Sequence, residues 1–358
     1  MMRVLELYSG IGGMHYALKE SGIPGLVIAA ADINTVANEV YAHNFPSVNN
    51  INRNIESLTA NEIRSMKIDT ILMSPPCQPF TRVGLQKDST DNRSSSLLHV
   101  LTLIPEIDIL KQILVENVKG FESSESRNAL VDCLEKCGFN YKELILSPCQ
   151  FGIPNSRHRY YLLAKRKMYK FCFINCGLEY SLSNELKKVL PEDRHLRLVI
   201  EDNQADREPS KNCYPLDRII DENIDAEDYS LPEKLLMKRA SVLDIRTADS
   251  RGSCCFTKAY GRYVEGTGSV FSPFPQIVVD EKFREFRNRL RENSEDFTRP
   301  LTDLKLRFFT PSEISKLMCF PQFFTFPNST TRKQKYRLLG NSINVHVVSR
   351  LIYLLNQE

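Results

Sequence analysis

The sequence predicts an α/β protein: a parallel sheet covered by helices on both faces, joined to a smaller and less regular region. Three observations carry that prediction. In the first half, short apolar runs alternate with amphipathic stretches at the spacing of βαβ units. The apolar runs are continuous, as expected of strands buried on both faces. From about Leu178 the rhythm breaks: polar and acidic residues dominate to about Asp228, with prolines at 191, 209, 215 and 232 and no clear period. At 358 residues the chain is long enough for one large domain or two.

The elements follow in order. Arg3–Tyr8 reads as the first buried strand and Met14–Glu20 as its helix. Leu26–Ala31 is the second strand, followed by a helix from Thr35 to about His43. Asp69–Met73, Gln112–Glu116 and Tyr160–Ala164 supply further strands, with helices near Leu97–Leu110 and Arg127–Cys137 between them. The irregular region extends to about residue 305. Thr310-Pro311-Ser312-Glu313 then starts a helix, Thr310 capping it and Pro311 fitting its first position. A last amphipathic helix runs from about Asn344 to Leu355.

Composition narrows the function classes. Hydrophobic content of 42% and charged content of 25% are globular averages. No apolar run reads as a membrane span. The ten cysteines are irregularly spaced and Met1 runs straight into a strand pattern, which points to free thiols in a reducing compartment, the cytoplasm with or without the nucleus. Cys133-x3-Cys137 and Cys172-x3-Cys176 look metal-like but lack paired histidines, so no metal is expected. A net charge of +3 is too small for bulk binding to nucleic acid, yet the charge is uneven. Lys282 to Arg307 holds eight bases against five acids, and Arg332-Lys-Gln-Lys-Tyr-Arg337 adds a second basic cluster. Either could hold phosphates or be a solvated helix face.

Five segments carry chemistry. Ser9-Gly-Ile-Gly-Gly13, between the first strand and its helix, lets backbone amides approach a ligand and points a helix N-terminus at it. A dinucleotide fingerprint would need glycine at position 15, which is His15. Asp32, ending the second strand, is placed to accept from ribose hydroxyls, so a nucleoside ligand without a pyrophosphate fits both facts. Pro75-Pro76-Cys77-Gln78 stops a buried strand and holds Cys77 on a stiff loop at the sheet edge, as a nucleophile or as a core cysteine in a proline turn. Glu116, in Glu116-Asn117-Val118, ends another buried strand; burial there raises a carboxyl pKa, although a helix cap reads the same way. Arg157 and Arg159 share a strand face at i and i+2, converging on one anionic or carbonyl group or keeping an edge strand soluble.

Taken in this order, these segments resemble the cytosine-5 methyltransferases, and the match extends to Gln150-Phe-Gly-Ile-Pro-Asn-Ser-Arg157 and Gly340-Asn-Ser-Ile-Asn344. Within that family the chain is similar to the eukaryotic tRNA (cytosine-5) methyltransferase branch. The residues carrying that likeness are Ser74-Pro-Pro-Cys-Gln-Pro-Phe-Thr-Arg82, Glu116-Asn-Val-Lys-Gly-Phe121, Cys255-Phe-Thr-Lys-Ala-Tyr-Gly261 and Val264-Glu-Gly-Thr-Gly-Ser-Val270. Leu304–Pro311 and Tyr336–Ser342 also fit.

The resemblance implies a Rossmann-like S-adenosylmethionine-dependent fold, with residues 1–180 plus 306–358 as catalytic domain and 181–305 as target recognition domain. It implies Cys77 as nucleophile at carbon 6 of cytosine, Glu116 at the exocyclic amine and ring nitrogen 3, and Arg157 and Arg159 as supporting cations. It places Ile11, Gly12 and Gly13 at the methionine end of S-adenosylmethionine and Asp32 with Ile33 at ribose and adenine. Asn54, Ile55, Ser74, and Ser342 from the C-terminal helix complete the pocket, Ser342 bringing that helix back beside the first strand. The implied partner is tRNA, with cytosine thirty-eight of aspartate tRNA as target, weak DNA binding and a monomeric chain. Two departures stand out: Gln150-Phe151-Gly152 is closer to the DNA enzymes, and Asn52-Arg-Asn-Ile55 is a loose adenine-contact segment. Cys149 and Cys255 read as structural. The rivals are a DNA cytosine-5 methyltransferase, a catalytically silent nucleic-acid-binding relative, and a nicotinamide dehydrogenase disfavoured by His15.

Overall fold

A computed structural model describes residues 1–76, 95–173, 177–191 and 213–358. Eight strands form one sheet: β1 (Met2–Leu7), β2 (Gly25–Asp32), β3 (Asn49–Asn52), β4 (Thr70–Met73), β5 (Gln112–Val118), β6 (Phe139–Leu146), β7 (Arg159–Arg166) and β8 (Leu178–Glu179). Their spatial order is β3-β2-β1-β4-β5-β7-β6-β8. The helices are α1 (Gly13–Glu20), α2 (Thr35–Asn44), α3 (Ala60–Ser65), α4 (Ser95–Leu103), α5 (Glu125–Lys136), α6 (Asn184–Val189), α7 (Glu233–Arg239), α8 (Gln276–Arg291), α9 (Arg299–Thr302), α10 (Pro311–Leu317), α11 (Arg332–Asn341) and α12 (Val345–Asn356).

The apolar strands behave as predicted because each feeds two cores. Successive side chains of a strand point to opposite faces. Val4, Leu72 and Leu114 therefore join the cluster under α1, α2 and α12, while Leu5, Ile71, Ile113 and Val115 join the one under α3, α4 and α5. Local signals set the helix starts. Asn34 caps α2, Ser124 caps α5, and Thr310 with Glu313 forms a capping box behind Pro311 in α10, where the sequence predicts it.

The structure corrects four expectations. The sheet is mixed, because β7 runs antiparallel to both β5 and β6. The first strand ends at Leu7, and Tyr8 already has φ 56. The helix expected over Leu97–Leu110 stops at Leu103, since Pro105 cannot supply an amide and the chain tightens into a turn at Ile104–Glu106. Finally, the region expected to be irregular contains α8, a 16-residue helix that buries Val279 and Phe286 and turns arginines outward. Among the elements that went unforeseen are β3, α3, β6 with its polar first half, and α11 inside the second basic cluster. Residues 332–356 are, among the described residues, apolar and long enough for a membrane span by composition, yet they are mostly buried. They form α11 and α12, and α12 lies against α1.

A second, three-stranded sheet joins β9 (Ile245–Arg246), β10 (Val270–Phe271) and β11 (Arg307–Phe308), with α7, α8 and α9 closing a separate apolar cluster. Its seam with the rest of the chain is part aromatic, Phe271 of β10 packing on Phe309 within the larger core, and part polar. Arg307 makes a two-pronged pair with Glu313, at 2.8 and 2.7 Å, and neither side chain reaches solvent appreciably. Glu313 also accepts from the amides of Thr310 and Asp221.

Candidate active site

Strand direction assembles the site. The carboxyl ends of β1, β2, β4 and β5 share one edge because these strands are parallel. In the antiparallel register of β7, Arg159 lies opposite Val118 and Tyr161 opposite Glu116. The start of β7 thus meets the end of β5, and Arg159 Nε approaches Glu116 Oε1 to 3.2 Å. A parallel β7 would have carried this arginine to the far edge. Burial raises the Glu116 pKa above the usual carboxyl range, with Arg159 and then Arg157 partly offsetting it. Glu116 is therefore a carboxyl that holds its proton more tightly than an exposed glutamate.

The next residue anchors the proline loop. Asn117 Nδ2 donates to the Pro75 carbonyl at 3.4 Å, and Ser74 Oγ donates to the Tyr8 carbonyl at 3.2 Å. Pro75 and Pro76 thus leave β4 between the ends of β1 and β5. Cys77, the expected nucleophile, follows Pro76 in the chain and lies outside the described residues.

Arg157 precedes β7 and is almost fully buried. Its guanidinium donates to the carbonyls of Phe256 at 3.1 Å, Gly340 at 3.2 Å and Ser342, tying the second region to the end of α11. Both arginines also reach Cys255 Sγ, at 3.4 Å from Arg157 and 3.8 Å from Arg159. Burial opposes ionisation of that thiol, but the two cations outweigh it and bring its pKa below the ordinary value. The i, i+2 pair does converge, and the group it converges on is Cys255, which the sequence presents as merely structural.

On the other side of the edge lies a cradle suited to a nucleoside-containing group. Asp32 Oδ2 accepts from the Gly10 amide and Oδ1 from the Asn34 amide, both at 2.8 Å, so the carboxylate is fixed with lone pairs to spare. Its neighbour Ile33 is 66% exposed, an apolar face that an adenine ring would cover. Gly12 leads into α1, and a side chain on Gly13 would strike Ile343 at 2.6 Å, with Ser342 Oγ at 3.1 Å. Ser342 therefore closes α11 beside the glycine loop, and α12 packs on α1, rather than Ser342 lying in the last helix beside the first strand. Ile11 and Ile55 are buried, so only their backbones can face a ligand. Asn54 accepts from the Glu56 amide at 3.2 Å and caps the turn at Ile55–Ser57.

The α1 N-terminus differs from expectation. The amides of Met14 and His15 face the buried carboxyl of Glu6, which also accepts from Tyr41 Oη at 2.9 Å. Burial pushes Glu6 up to about 8, the Tyr41 bond partly offsetting it. His15 stacks on Phe45 at 3.7 Å, and burial with Lys19 nearby holds its pKa down near about 3. These residues support the glycine loop from beneath.

Sequence reasoning missed two contributors. Asn117 stood within a recognised motif but gave no sign that it reaches across to Pro75. Cys255 stood in another, and only its contacts with the arginines from the far end of a different segment reveal its environment.

Three comparisons bear on this geometry. Residues 2–356 match the family described as C-5 cytosine-specific DNA methylase. A Spodoptera frugiperda protein named tRNA (cytosine(38)-C(5))-methyltransferase is 45% identical over 353 residues, covering 99% of this chain and 98% of its own. A Dictyostelium discoideum protein named DNA (cytosine-5)-methyltransferase is 39% identical over 375 residues, covering 99% and 94%. A crystal structure of a Spodoptera frugiperda DNMT2 mutant superposes with a TM-score of 0.85 at 43% identity, covering 100% of both chains.

Proposed function

The chain belongs to the C-5 cytosine-specific DNA methylase family, and on that premise we propose that it methylates carbon 5 of a cytosine in tRNA through a covalent adduct with Cys77. Cytosine thirty-eight of aspartate tRNA is the proposed target. The observation that carries this reading is the buried Glu116–Arg159 pair facing the edge from which the Pro75–Pro76 loop leads to Cys77.

Carbon 5 of cytosine is a poor nucleophile, and attack of a thiolate on carbon 6 turns the ring into an enamine. That attack delivers negative charge to the ring. A proton held at nitrogen 3 drains it, and Glu116 is the group for this, since burial raises its pKa and favours its protonated form. Arg159 orients the carboxyl and adds positive potential. A free thiol of pKa about 8.5 is only a few per cent ionised at neutral pH, and guanidinium charge at this edge would favour a Cys77 thiolate. Arg157 acts as a positioning residue through its bonds to Phe256, Gly340 and Ser342. Loss of the carbon 5 proton and expulsion of Cys77 restore the aromatic ring.

S-adenosylmethionine supplies the electrophilic methyl group when bound. Ile11, Gly12 and Gly13 would hold its methionine end, Asp32 its ribose and Ile33 its adenine, with Asn54, Ile55, Ser74 and Ser342 completing the pocket. Residues 1–180 with 306–358 would act as the methyltransferase unit and 181–305 as the part that recognises the target.

An extruded base costs a few kcal/mol, least where it is already unpaired, and an anticodon loop offers such a base. A DNA substrate is the second reading, favoured by Gln150-Phe151-Gly152. Methylation of purified tRNA and duplex DNA under one set of conditions separates the two. Bisulfite sequencing of small RNAs incubated with protein and methyl donor should mark cytosine thirty-eight of aspartate tRNA, and a strong preference for DNA overturns the reading.

A further inference from the structure

A second thiol centre lies on the loop that leads to Arg157. Cys149 occupies the turn Pro148–Phe151, which a Ser147–Gln150 capping box holds in place. Its sulfur is partly exposed and lies 3.7 Å from Ser156 Oγ. Cys213 is fully buried behind it and donates from Sγ to the Cys149 carbonyl at 3.6 Å. The Tyr214 amide donates to the Gly152 carbonyl at 3.0 Å, and Arg251 Nη1 donates to the Cys213 carbonyl at 2.6 Å, so both backbones are clamped together.

The two thiols also hydrogen-bond to each other, and this bond lowers the Cys149 pKa to about 6 against the effect of burial, with Ser156 and Ser147 assisting. Apart from Cys255, which the two arginines also bring down, other thiols have surroundings that work the other way. Burial pushes Cys133, beside Cys137, up to about 12, and Cys254 up to about 11. An accessible thiolate with a buried thiol in contact behind it is the arrangement of an attacking and a resolving cysteine. A cysteine pair that merely filled core space would have its thiols protonated, as Cys133 does.

We propose that Cys149 and Cys213 form an oxidation site for hydroperoxides, closing reversibly to a disulfide between the loop before Arg157 and the second region. The Cys149 thiolate attacks one peroxide oxygen; the O–O bond breaks, leaving a sulfenic acid and, after protonation, water or an alcohol. Cys213 sulfur then attacks the sulfenic sulfur, forming the S–S bond, and the departing hydroxide takes the Cys213 proton as water. Two thiols lose two electrons and two protons, and the peroxide is reduced. A small dithiol reverses the bond by exchange. The site is independent of methyl transfer, since neither sulfur belongs to the machinery described above.

The test uses the whole protein. After treatment with hydrogen peroxide, blocking of remaining thiols and proteolysis without reductant, mass spectrometry should find the Cys149 and Cys213 peptides linked, and dithiothreitol should release them. In Cys213→Ser, dimedone should trap Cys149 as sulfenic acid and the link should vanish. Independently of any variant, iodoacetamide should alkylate Cys149 about tenfold faster than an ordinary thiol at pH 6, a higher thiolate fraction being partly offset by lower intrinsic nucleophilicity. Linkage of Cys149 to another cysteine, or a Cys149 alkylation rate like that of Cys133, overturns the proposal.

Discussion

The large sheet and the small sheet of this molecule hold themselves together by different means. In the large one, most residues of the central strands β1, β4, β5 and β7 are buried, and their side chains divide between two apolar cores. In the small one, three strands of two residues each carry little ladder. Its order comes instead from one apolar cluster, the buried Arg307–Glu313 pair, and loops such as that of residues 254–268, which buries Phe256 and Tyr260 and bonds the Cys254 amide to Ser269. The first design makes a rigid edge on which chemistry can be mounted. The second holds loops in shape beside that edge, and one of them delivers Cys255 and Phe256 to the arginines.

The rigid edge can be tested most severely. Cys77→Ala should abolish turnover while leaving S-adenosylmethionine binding, read by calorimetry, nearly intact. Glu116→Gln should lower kcat by about two to four orders of magnitude, the usual range for losing a positioned acid. Undiminished methylation by either variant would remove chemistry from the large sheet.

Next in size is the seam. Arg307→Met leaves Glu313 buried without its partner, which should cost about 3–5 kcal/mol in urea unfolding. If the small sheet is an autonomous unit, unfolding of this variant should split into two transitions; a single transition would merge the two regions into one cooperative body.

A pH series probes the large sheet from beneath. Glu6 keeps its proton to about 8 when folded, against an ordinary 4.5 when unfolded. Between those values the native state binds the extra proton, so this contribution is fully present below about 4.5 and is lost as pH rises through about 8. The change is on the order of 5 kcal/mol. Glu6→Gln should flatten stability against pH across that window in denaturant melts, and an unchanged slope would contradict the burial argument.

The smallest effect belongs to α8. Lys282 pairs with Asp303 and Arg289 with Glu285, while Arg284, Arg287 and Arg291, on one exposed face, have no ion pair among the described residues. Neutralising these three to Gln should leave the melting temperature within a few degrees and reduce the salt dependence of tRNA binding by about 0.7–0.9 per lost phosphate contact. An identical salt slope would make this face a solvated helix surface.

Much of the large sheet was legible because its signals are local. Continuous apolar runs, a capping threonine before Pro311 and a proline-stopped strand each act within a few residues. The direction of β7 was not legible: Tyr160–Ala164 reads equally well in either sense, and pairing with β6, whose first half is polar, decides it. Helix α8 was hidden by a polar composition, its buried face being narrow.

Residue type and spacing alone determined that a carboxyl and two guanidiniums would stand at strand ends, and that a glycine loop and an aspartate would flank them. Backbone propensity and hydrophobic periodicity act through neighbours in sequence, which is why these positions could be read directly. Tertiary structure decided that Arg159 pairs with Glu116, that Arg157 instead binds carbonyls from two distant segments, and that Cys255 lies between both. It also decided why Gly340 must lack a side chain, the backbone of Thr257 and Lys258 lying 2.2 Å from where a Cβ would stand. Such contacts join residues far apart in the sequence, where only packing, strand direction and the burial of charge set the distance.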